Sequence, residues 1–293
     1  MSFISFTIII QFSGLTYFGS AKNSQCIFLS GECEMEYDPI KNRLAKAIDM
    51  FPALRKLVYM AFNLIFLRQR YVLKEIRNLF REPDKIDLYD AGAGFCQYSA
   101  YVLSHWFNSN AFATDLKTDY LRSFSAYADI YYPGRFTYKT ADLQTFIPSQ
   151  KFNLALAIDI MEHIENDVSA LNNLYNALEK KGYLLLSTPS DLYETAKFTS
   201  EHIRAGYNKK ELENKLNRIG FRIIKSIYTY GTYGALSWKL LIKIPLQLIS
   251  KKLYPLLPLY YLLVYPLAEI LMRLDMKTDN KQGTGILIVA QKP

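Results

Sequence analysis

The stretch at residues 86–98, IDLYDAGAGFCQY, decides the fold of this chain. It begins with a short run of mainly apolar residues, typical of a buried strand, and Asp90 ends that run. Gly92 and Gly94 follow, and glycine lets the backbone turn tightly and approach a ligand where a Cβ would collide. A helix is expected next, at about residues 95–107, with its N-terminal amides facing the ligand. The pattern therefore predicts an α/β protein that binds a nucleotide-like molecule.

Two kinds of nucleotide cofactor fit such a turn. The dinucleotide fingerprint G-x-G-x-x-G would need its third glycine at position 97, which is Gln97. The S-adenosylmethionine fingerprint has an acidic residue shortly before the first glycine, and Asp90 meets this requirement. The turn therefore favours S-adenosylmethionine. Glycine turns after strands are common in α/β proteins, so other residues must support the assignment.

The composition limits the class of protein. With 293 residues, half of them apolar, the chain can form a full core in one large domain or two small ones. Its formal charge of +8 allows contact with nucleic acid or with an anionic membrane surface. The lysines alternate with aliphatic runs and match no nucleic-acid motif, so no nucleic-acid partner is expected. The three cysteines are odd in number, and we expect a reducing compartment without disulfides. They also lack metal-ligand spacing with histidines, so no metal site is expected.

The N-terminal part divides into two segments. Residues 1–34 begin with an apolar run that is too short to span a bilayer and follows no positive residue, so no signal peptide is expected. We interpret this segment as an extension that is either non-native or poorly ordered. Residues 35–82 have the spacing of basic amphipathic helices. They either pack on the main domain with solvated basic faces, or also contact a membrane surface or a hydrophobic acceptor.

Helices and strands alternate after the glycine turn, as a doubly wound parallel sheet requires. Further strands are predicted at residues 111–115, 136–141, 152–158 and 183–187. A helix at about residues 166–180 should end before Gly182. Acids follow four of the strands, at Asp90, Asp115, Asp142 and Asp159. Because the carboxyl ends of parallel strands meet at the edge that binds ligands, we expect these carboxylates on one rim.

Five motifs carry a resemblance to a known family. They are DAGAG at 90–94, ATD at 113–115, ADL at 141–143, DIMEHI at 159–164 and EHIRAGYNKKEL at 201–212. They resemble class I S-adenosylmethionine-dependent methyltransferases, most closely the branch that includes ubiquinone-biosynthesis methyltransferases. The resemblance covers about residues 87–227 and the last strand. It implies a Rossmann-like, mostly parallel sheet of seven strands that ends in an antiparallel pair at residues 221–230 and 285–292, with S-adenosylmethionine as cofactor.

The resemblance also implies roles for individual residues. The predicted cofactor-binding residues are Asp90, Ala91, Gly92, Gly94, Asp115, Leu116, Asp142, Leu143 and Asp159. Among them, Asp115 would contact the ribose, Asp142 and Leu143 the adenine, and the glycine turn and Asp159 the methionine part. The sequence departs from the family at Cys96, where glycine is usual. A tighter turn, a shifted helix start or weaker affinity is therefore expected.

The catalytic prediction concerns His163. Methyl transfer rests chiefly on in-line positioning, and transfer to oxygen is favoured over transfer to carbon or nitrogen. A phenol acceptor must also lose its proton, and His163 is the predicted base, with Glu162 or His202 as helpers. The alternative is that His163 only caps or packs the helix that follows.

A hydrophobic insert is predicted at residues 233–280. Residues 253–268 carry no charge, but the stretch is short for a membrane span and its prolines disfavour a regular helix. Because the chain must return to the sheet, a single crossing is excluded. The insert is either a lid that enters a membrane shallowly or a helical layer that caps a soluble pocket. In the first case four lysines would face anionic headgroups: Lys239, Lys243, Lys251 and Lys252.

Together these features predict a methyltransferase domain at residues 83–232 and 281–293. We expect it to act on an apolar small molecule or lipid-like acceptor, in the cytoplasm or peripherally on the inner face of the membrane. The alternative is a catalytically inactive, membrane-binding module of the same fold. Saturable binding of S-adenosylmethionine would distinguish the two.

Overall fold

The computed structural model describes residues 52–192 and 203–293. Its centre is one sheet of seven strands. The strands are β1 Asp87–Ala91, β2 Asn110–Asp115, β3 Phe136–Thr140, β4 Phe152–Ile158, β5 Leu178–Pro189, β6 Arg222–Thr229 and β7 Gly285–Gln291. Their order is β3-β2-β1-β4-β5-β7-β6. All neighbours run parallel except β7, which is antiparallel to both β5 and β6. The predicted fold class, a mostly parallel sheet of the Rossmann-like type, is confirmed.

Helices cover both faces of this sheet. They are α1 Pro52–Ile65, α2 Leu67–Leu79, α3 Gln97–His105, α4 Thr118–Tyr131, α5 Asp167–Ala177, α6 Lys209–Ile219, α7 Thr232–Trp238, α8 Ile244–Ser250 and α9 Leu257–Asp275. A π-helical turn, Lys239–Lys243, joins α7 to α8, and a 3-10 turn, Met161–His163, follows β4. The N-terminal helices α1 and α2 precede the first strand, as the sequence predicts.

Alternate residues of the central strands face two different layers. Leu88 and Leu154 pack with side chains of α2, α3, α4 and α9, while Tyr89 and Ala155 pack with α5 and α6. None of these four side chains is more than 1% exposed. Burial on both faces explains the nearly continuous apolar sequence of β4. It also fixes the strand register, and with it the edge at which the strands end.

The connection between α5 and β5 differs from the prediction. The helix was expected to reach about residue 180, but α5 ends at Ala177 and β5 begins at Leu178. Leu178 is fully buried and pairs with Phe152, while the Lys292 N–H donates to the Gly182 carbonyl at 2.9 Å. Pairing with the two neighbouring strands therefore overrides the helical periodicity. Gly182 lies inside β5 and does not cap the helix.

The hydrophobic insert contains a longer helix than the sequence suggests. The prolines were expected to disfavour a regular helix, and this is wrong, because α9 is continuous over 19 residues. Pro258 lies in its first turn, where a backbone N–H has no partner within the helix, and Pro266 lies inside it. Among the residues that the structure describes, α9 is the one helix long and apolar enough to cross a membrane by length and composition.

A buried carboxylate ties α9 back to the sheet. Asp275 is fully buried and accepts hydrogen bonds from the Tyr71 hydroxyl at 2.9 Å, the Tyr230 N–H at 3.1 Å and the Gly234 N–H at 2.9 Å. The pKa of the Tyr71 hydroxyl is raised, chiefly by burial and secondly by the nearby Asp275 carboxylate. Tyr230 directly follows β6, so the insert leaves the sheet and returns to it at the same point. Both ends of the insert therefore lie at the carboxyl end of β6.

Candidate active site

A cavity of about 270 Å³ lies where β1, β2 and β4 end, beside the start of α3. Four acids line it: Asp90, Asp115, Asp142 and Asp159. Five other residues singled out from the sequence line it as well: Gly92, Gly94, Leu116, Leu143 and His163. The structure thus brings together most of the predicted site at the expected edge of the sheet. The binding role of each residue stays a prediction.

The glycine turn has the geometry that its sequence predicts. Gly92 has φ +74°, and a Cβ added there would lie 2.6 Å from Ile160 Cγ1. Gly94 has φ +50°, and a Cβ added there would meet no atom within 4 Å. Gly92 is therefore needed for packing inside the protein, whereas Gly94 leaves open space beside the backbone. That open approach fits a bound cofactor.

Cys96 has a backbone conformation that favours glycine, the residue that the family resemblance predicts at this position. It has φ 56°, in the left-handed region, directly before α3 begins at Gln97. This conformation is costly for residues other than glycine, asparagine and aspartate. The thiol is fully buried, and burial raises its pKa well above the usual range. Cys96 is therefore an unreactive packing residue, and the helix starts slightly later than predicted.

Asp90 is a buried acid that also shapes the turn. It is 2% exposed, and its Oδ2 accepts hydrogen bonds from the Ser99 hydroxyl at 2.7 Å and the Ser99 N–H at 3.2 Å. Burial raises the pKa of Asp90 to about 7, although the hydrogen bonds from Ser99 act in the opposite direction. Asp90 thus connects the end of β1 to the first turn of α3.

Asp115, the predicted ribose acceptor, supports the same turn. Its Oδ2 accepts a hydrogen bond from the Gly94 N–H and its Oδ1 one from the Lys117 N–H, both at 2.9 Å. Burial raises the pKa of Asp115, against the effect of these bonds. A carboxylate has about four acceptor sites, so Asp115 keeps capacity for hydroxyl groups of a ligand.

The predicted adenine side combines apolar and polar groups. Leu143 is 6% exposed and Leu116 51% exposed, and both line the cavity. Asp142 accepts a hydrogen bond from the Gln144 N–H at 2.9 Å. Two stacked rings, with centroids 4.8 Å apart, add aromatic surface to the lining: Phe95 and Tyr120. This set of groups fits a flat base with polar edges.

The three predicted catalytic residues lie in different surroundings. His163 ends the 3-10 turn after β4 and lines the cavity, half-buried. Glu162 is 1% exposed, does not line the cavity, and accepts a hydrogen bond from the Thr188 hydroxyl at 3.1 Å. Burial raises the pKa of Glu162. His202 lies outside the described residues. Among these three, His163 is the residue that the structure brings to the cavity.

Ala91 also differs from its prediction, because it does not line the cavity. It is 1% exposed and packs in the layer of α5 and α6. As the last residue of β1, it alternates with Asp90, which faces the other layer.

Sequence reasoning missed Arg68. It lies in the first turn of α2, its guanidinium forms an ion pair with the Asp159 carboxylate, and its N–H donates to the Tyr230 hydroxyl at 3.1 Å. Arg68 thus joins the N-terminal helices, the rim of the cavity and the start of the insert. In the sequence it is one basic residue among many in an amphipathic helix, and no spacing distinguishes it.

Two further observations test the fit of S-adenosylmethionine to this cavity. Gln97 Oε1 and Asp159 Oδ1 are buried oxygens that accept no hydrogen bond within residues 52–192 and 203–293. Both residues line the cavity. Acceptors that lack donors, beside an open glycine turn, suit a cofactor with an amino-acid end and a nucleoside end. The fold and the site together define a class I methyltransferase domain.

Comparison with known families agrees. A family model described as a methyltransferase domain matches residues 66–226, more than half of the chain. The chain therefore belongs to this methyltransferase family, and it is an S-adenosylmethionine-dependent enzyme. A search of curated protein sequences finds no match.

Solved structures share the fold at low sequence identity. The [4+2]-cyclase SpnF has a TM-score of 0.54 and 14% identity, over 76% of this chain and 80% of that protein. Phosphoethanolamine N-methyltransferase 2 of Haemonchus contortus, solved with S-adenosyl-L-methionine, has a TM-score of 0.54 and 16% identity, over 75% of this chain and 52% of that protein. Such likeness shows the fold alone, and the two neighbours carry different chemistry on it.

Proposed function

We propose that this methyltransferase acts on an apolar small molecule or lipid-like acceptor that it takes from a membrane surface. The observation that carries the proposal is the exposed apolar face of α9. Five of its side chains are between 52% and 69% exposed: Leu259, Leu262, Leu263, Leu267 and Ile270. Most are three or four positions apart, so they share one side of the helix. Contiguous apolar surface of this kind marks a site of interaction.

Helix α1 extends this surface. Four exposed apolar side chains lie on α1 or directly after it: Leu57, Met60, Leu64 and Phe66. Arg70 connects the two helices, because it donates to the Asn63 carbonyl at 2.7 Å and the Tyr265 hydroxyl at 3.1 Å, and pairs with Glu269 at 2.7 Å. We call the exposed apolar side chains of α1, Phe66 and α9 the apolar platform.

The charges of the insert suit an anionic bilayer. Four of its lysines are exposed: Lys239, Lys243, Lys251 and Lys252. Each lysine near an anionic surface contributes roughly 1 kcal/mol of attraction. An amphipathic helix with such neighbours is typical of a protein that lies in the membrane interface. We therefore propose a cytoplasmic protein held peripherally on the inner face of the membrane.

The topology connects this surface with the methyl donor. Strand β6 runs parallel to β5, because both are antiparallel to β7. Its carboxyl end, where the insert begins, is therefore at the same edge of the sheet as Asp159. Arg68 spans this edge through its contacts with Asp159 and Tyr230. An acceptor dissolved in the membrane would then reach the cavity along this edge of the sheet without crossing bulk water.

The chemistry at the cavity is proposed as follows. S-adenosylmethionine, when bound, supplies an electrophilic methyl group on a sulfonium. The residues of the rim hold it in line with the acceptor, which is the main source of acceleration. His163 takes the proton of a phenol-type hydroxyl. We favour O-methylation of an acceptor such as a quinone precursor, with carbon or nitrogen as the alternative atom.

Two alternatives make different predictions. If the insert only capped a soluble pocket, its apolar residues should be packed against the rest of the protein. Only 22% of the apolar stretch of α9 is buried in this way. An inactive membrane-binding relative would bind vesicles without methyl transfer. The proposed enzyme does both.

Co-sedimentation with vesicles tests the membrane part. Leu263→Asp, at a side chain 69% exposed on α9, is expected to lower binding to vesicles of phosphatidylglycerol and phosphatidylcholine. Ile130→Asp is the matched control, because Ile130 is 68% exposed near the end of α4, which leads to the opposite edge of the sheet. Joint neutralisation of the four lysines should lower binding mainly at low salt. A parent chain that does not sediment with vesicles, or equal losses in both aspartate variants, would contradict the proposal.

A further inference from the structure

The segment that precedes α6 packs on the turn that carries His163. It contains the described part of the motif EHIRAGYNKKEL, from Ile203 onward, and none of these described residues lines the cavity. The N–H groups of Ile203 and Arg204 donate to the Glu162 carbonyl at 3.1 and 3.4 Å. The 3-10 turn Met161–His163 is therefore held by a segment that lies outside the lining of the cavity.

The Arg204 side chain reaches both ends of this turn. Its guanidinium donates to the Met161 carbonyl at 3.4 Å and to the Glu165 carbonyl at 3.0 Å. These carbonyls belong to the residues two positions before and two positions after His163. A planar guanidinium, with five donors in a rigid fork, can bridge two carbonyls in this way. Arg204 therefore restrains the backbone on both sides of His163.

A buried carboxylate, Asp167, anchors this guanidinium. It is the first residue of α5, and its side chain is 8% exposed. Its Oδ2 accepts hydrogen bonds from three groups: Arg204 at 2.8 Å, the Tyr207 hydroxyl at 2.8 Å and Lys215 at 2.6 Å. Burial opposes its ionisation, but the hydrogen bonds from Lys215 and Tyr207 and the nearby cations lower the pKa of Asp167 overall. Asp167 is therefore an anion at neutral pH and fixes the position of Arg204.

The restrained turn belongs to the wall of the cavity. Ile160, His163 and Ile164 line the cavity, whereas Arg204 does not. A shift of the turn would move His163 relative to a bound methyl donor. Because methyl transfer depends on in-line geometry, a misplacement of about 1 Å can cost roughly 100-fold in rate.

We propose that Arg204 is a positioning residue for methyl transfer, because it holds the turn Met161–His163 at both ends and so keeps His163 at the cavity. This inference rests on the proposed role of His163 as the base. It gives the motif EHIRAGYNKKEL a function without contact to cofactor or acceptor. Arg204 acts on the reaction only through the turn that it holds.

Two matched variants test this role. Arg204→Met and Lys215→Met each remove a cation from Asp167, but only Arg204 also donates to the carbonyls beside His163. In transfer of a labelled methyl group to a membrane lipid extract, Arg204→Met is expected to lower kcat roughly 10- to 100-fold, with little change in the KM for S-adenosylmethionine. Lys215→Met should keep nearly the parental kcat. Arg204→Lys keeps the charge beside Asp167 but lacks the fork, so it should restore the melting temperature and not the rate.

Nuclear magnetic resonance of the histidine rings reads the position of His163 without an acceptor. The chain has three histidines, so His163→Gln assigns the His163 signal in protein labelled at histidine. Arg204→Met should shift this signal, and Lys215→Met should leave it in place. Because this readout needs no methyl transfer, it decides the inference even where the parent chain labels no lipid and the proposed function fails.

An unmoved His163 signal in Arg204→Met, or equal losses of kcat in Arg204→Met and Lys215→Met, would overturn the inference. A shifted signal with the parental rate would support the positioning and contradict the proposed role of His163 as the base. Thermal denaturation reports folding of each variant. Arg204→Gln replaces Arg204→Met if the methionine variant does not fold, since one amide cannot bridge both carbonyls as the guanidinium does.

Discussion

Replacement of Asp90 by asparagine is expected to stabilise the protein above neutral pH. Burial raises the pKa of Asp90 from 3.8 to about 7, so folding opposes its ionisation. The favourable contribution of the protonated carboxyl is fully present below about pH 4 and is lost as the pH rises through about 7. The difference between the two pKa values corresponds to roughly 4 kcal/mol at alkaline pH. Asparagine keeps an oxygen for the hydrogen bonds from Ser99 and has no charge to bury.

Urea denaturation between about pH 5 and pH 8 measures this effect. The free energy of unfolding of Asp90→Asn, relative to the parent chain, should increase from about pH 5 to about pH 7 and level off above that pH. Asp129→Asn is the control, because Asp129 is exposed on α4 and its replacement removes the same charge without any buried carboxyl. A difference that stays constant with pH, or a variant that is less stable than the parent at pH 8, would refute the view that burial dominates the energetics of Asp90.

Three other predictions concern the same cavity. Cys96→Gly should be more stable than Cys96→Ala by about 1 kcal/mol, because only glycine is relaxed at φ 56°, and the opposite order of melting temperatures would contradict this. Asp115→Ala should weaken binding of S-adenosylhomocysteine by about 1.5–3 kcal/mol in calorimetry, and unchanged affinity would remove Asp115 from the site. His163→Ala should lower the rate of methyl transfer with nearly unchanged cofactor affinity, whereas parallel losses of stability and activity would favour a packing role.

Local sequence patterns were sufficient for the five strands β1 to β5 and for most of the cavity, whereas the antiparallel strands β6 and β7 were predicted from the family resemblance. The glycine turn and the acids at the strand ends are short signals whose geometry follows from the backbone alone. Because parallel strands end at one edge, the predicted strands were sufficient to predict that four acids lie close together: Asp90, Asp115, Asp142 and Asp159. The burial of β4 on both faces was predicted from its nearly continuous apolar sequence, which is also a local pattern.

The features that were missed depend on contacts between distant parts of the chain. Arg68 reaches Asp159 from a helix that precedes the first strand, and no local pattern encodes this contact. The early end of α5 follows from the pairing of Leu178 with Phe152. Gln97 was noted only as the residue that breaks the dinucleotide pattern, because its buried oxygen without a hydrogen bond is apparent only once the cavity is placed around it.

Transfer of a labelled methyl group to an apolar product tests the central claim most directly. The protein is incubated with methyl-labelled S-adenosylmethionine and a membrane lipid extract, and the label is counted in the organic phase. The parent chain and Ile130→Asp should both place label there. Gly92→Ala should not, because its Cβ would collide with Ile160 and its φ of +74° is strained. Saturable cofactor binding without label in the organic phase, or label confined to water-soluble products, would contradict an apolar, membrane-derived acceptor.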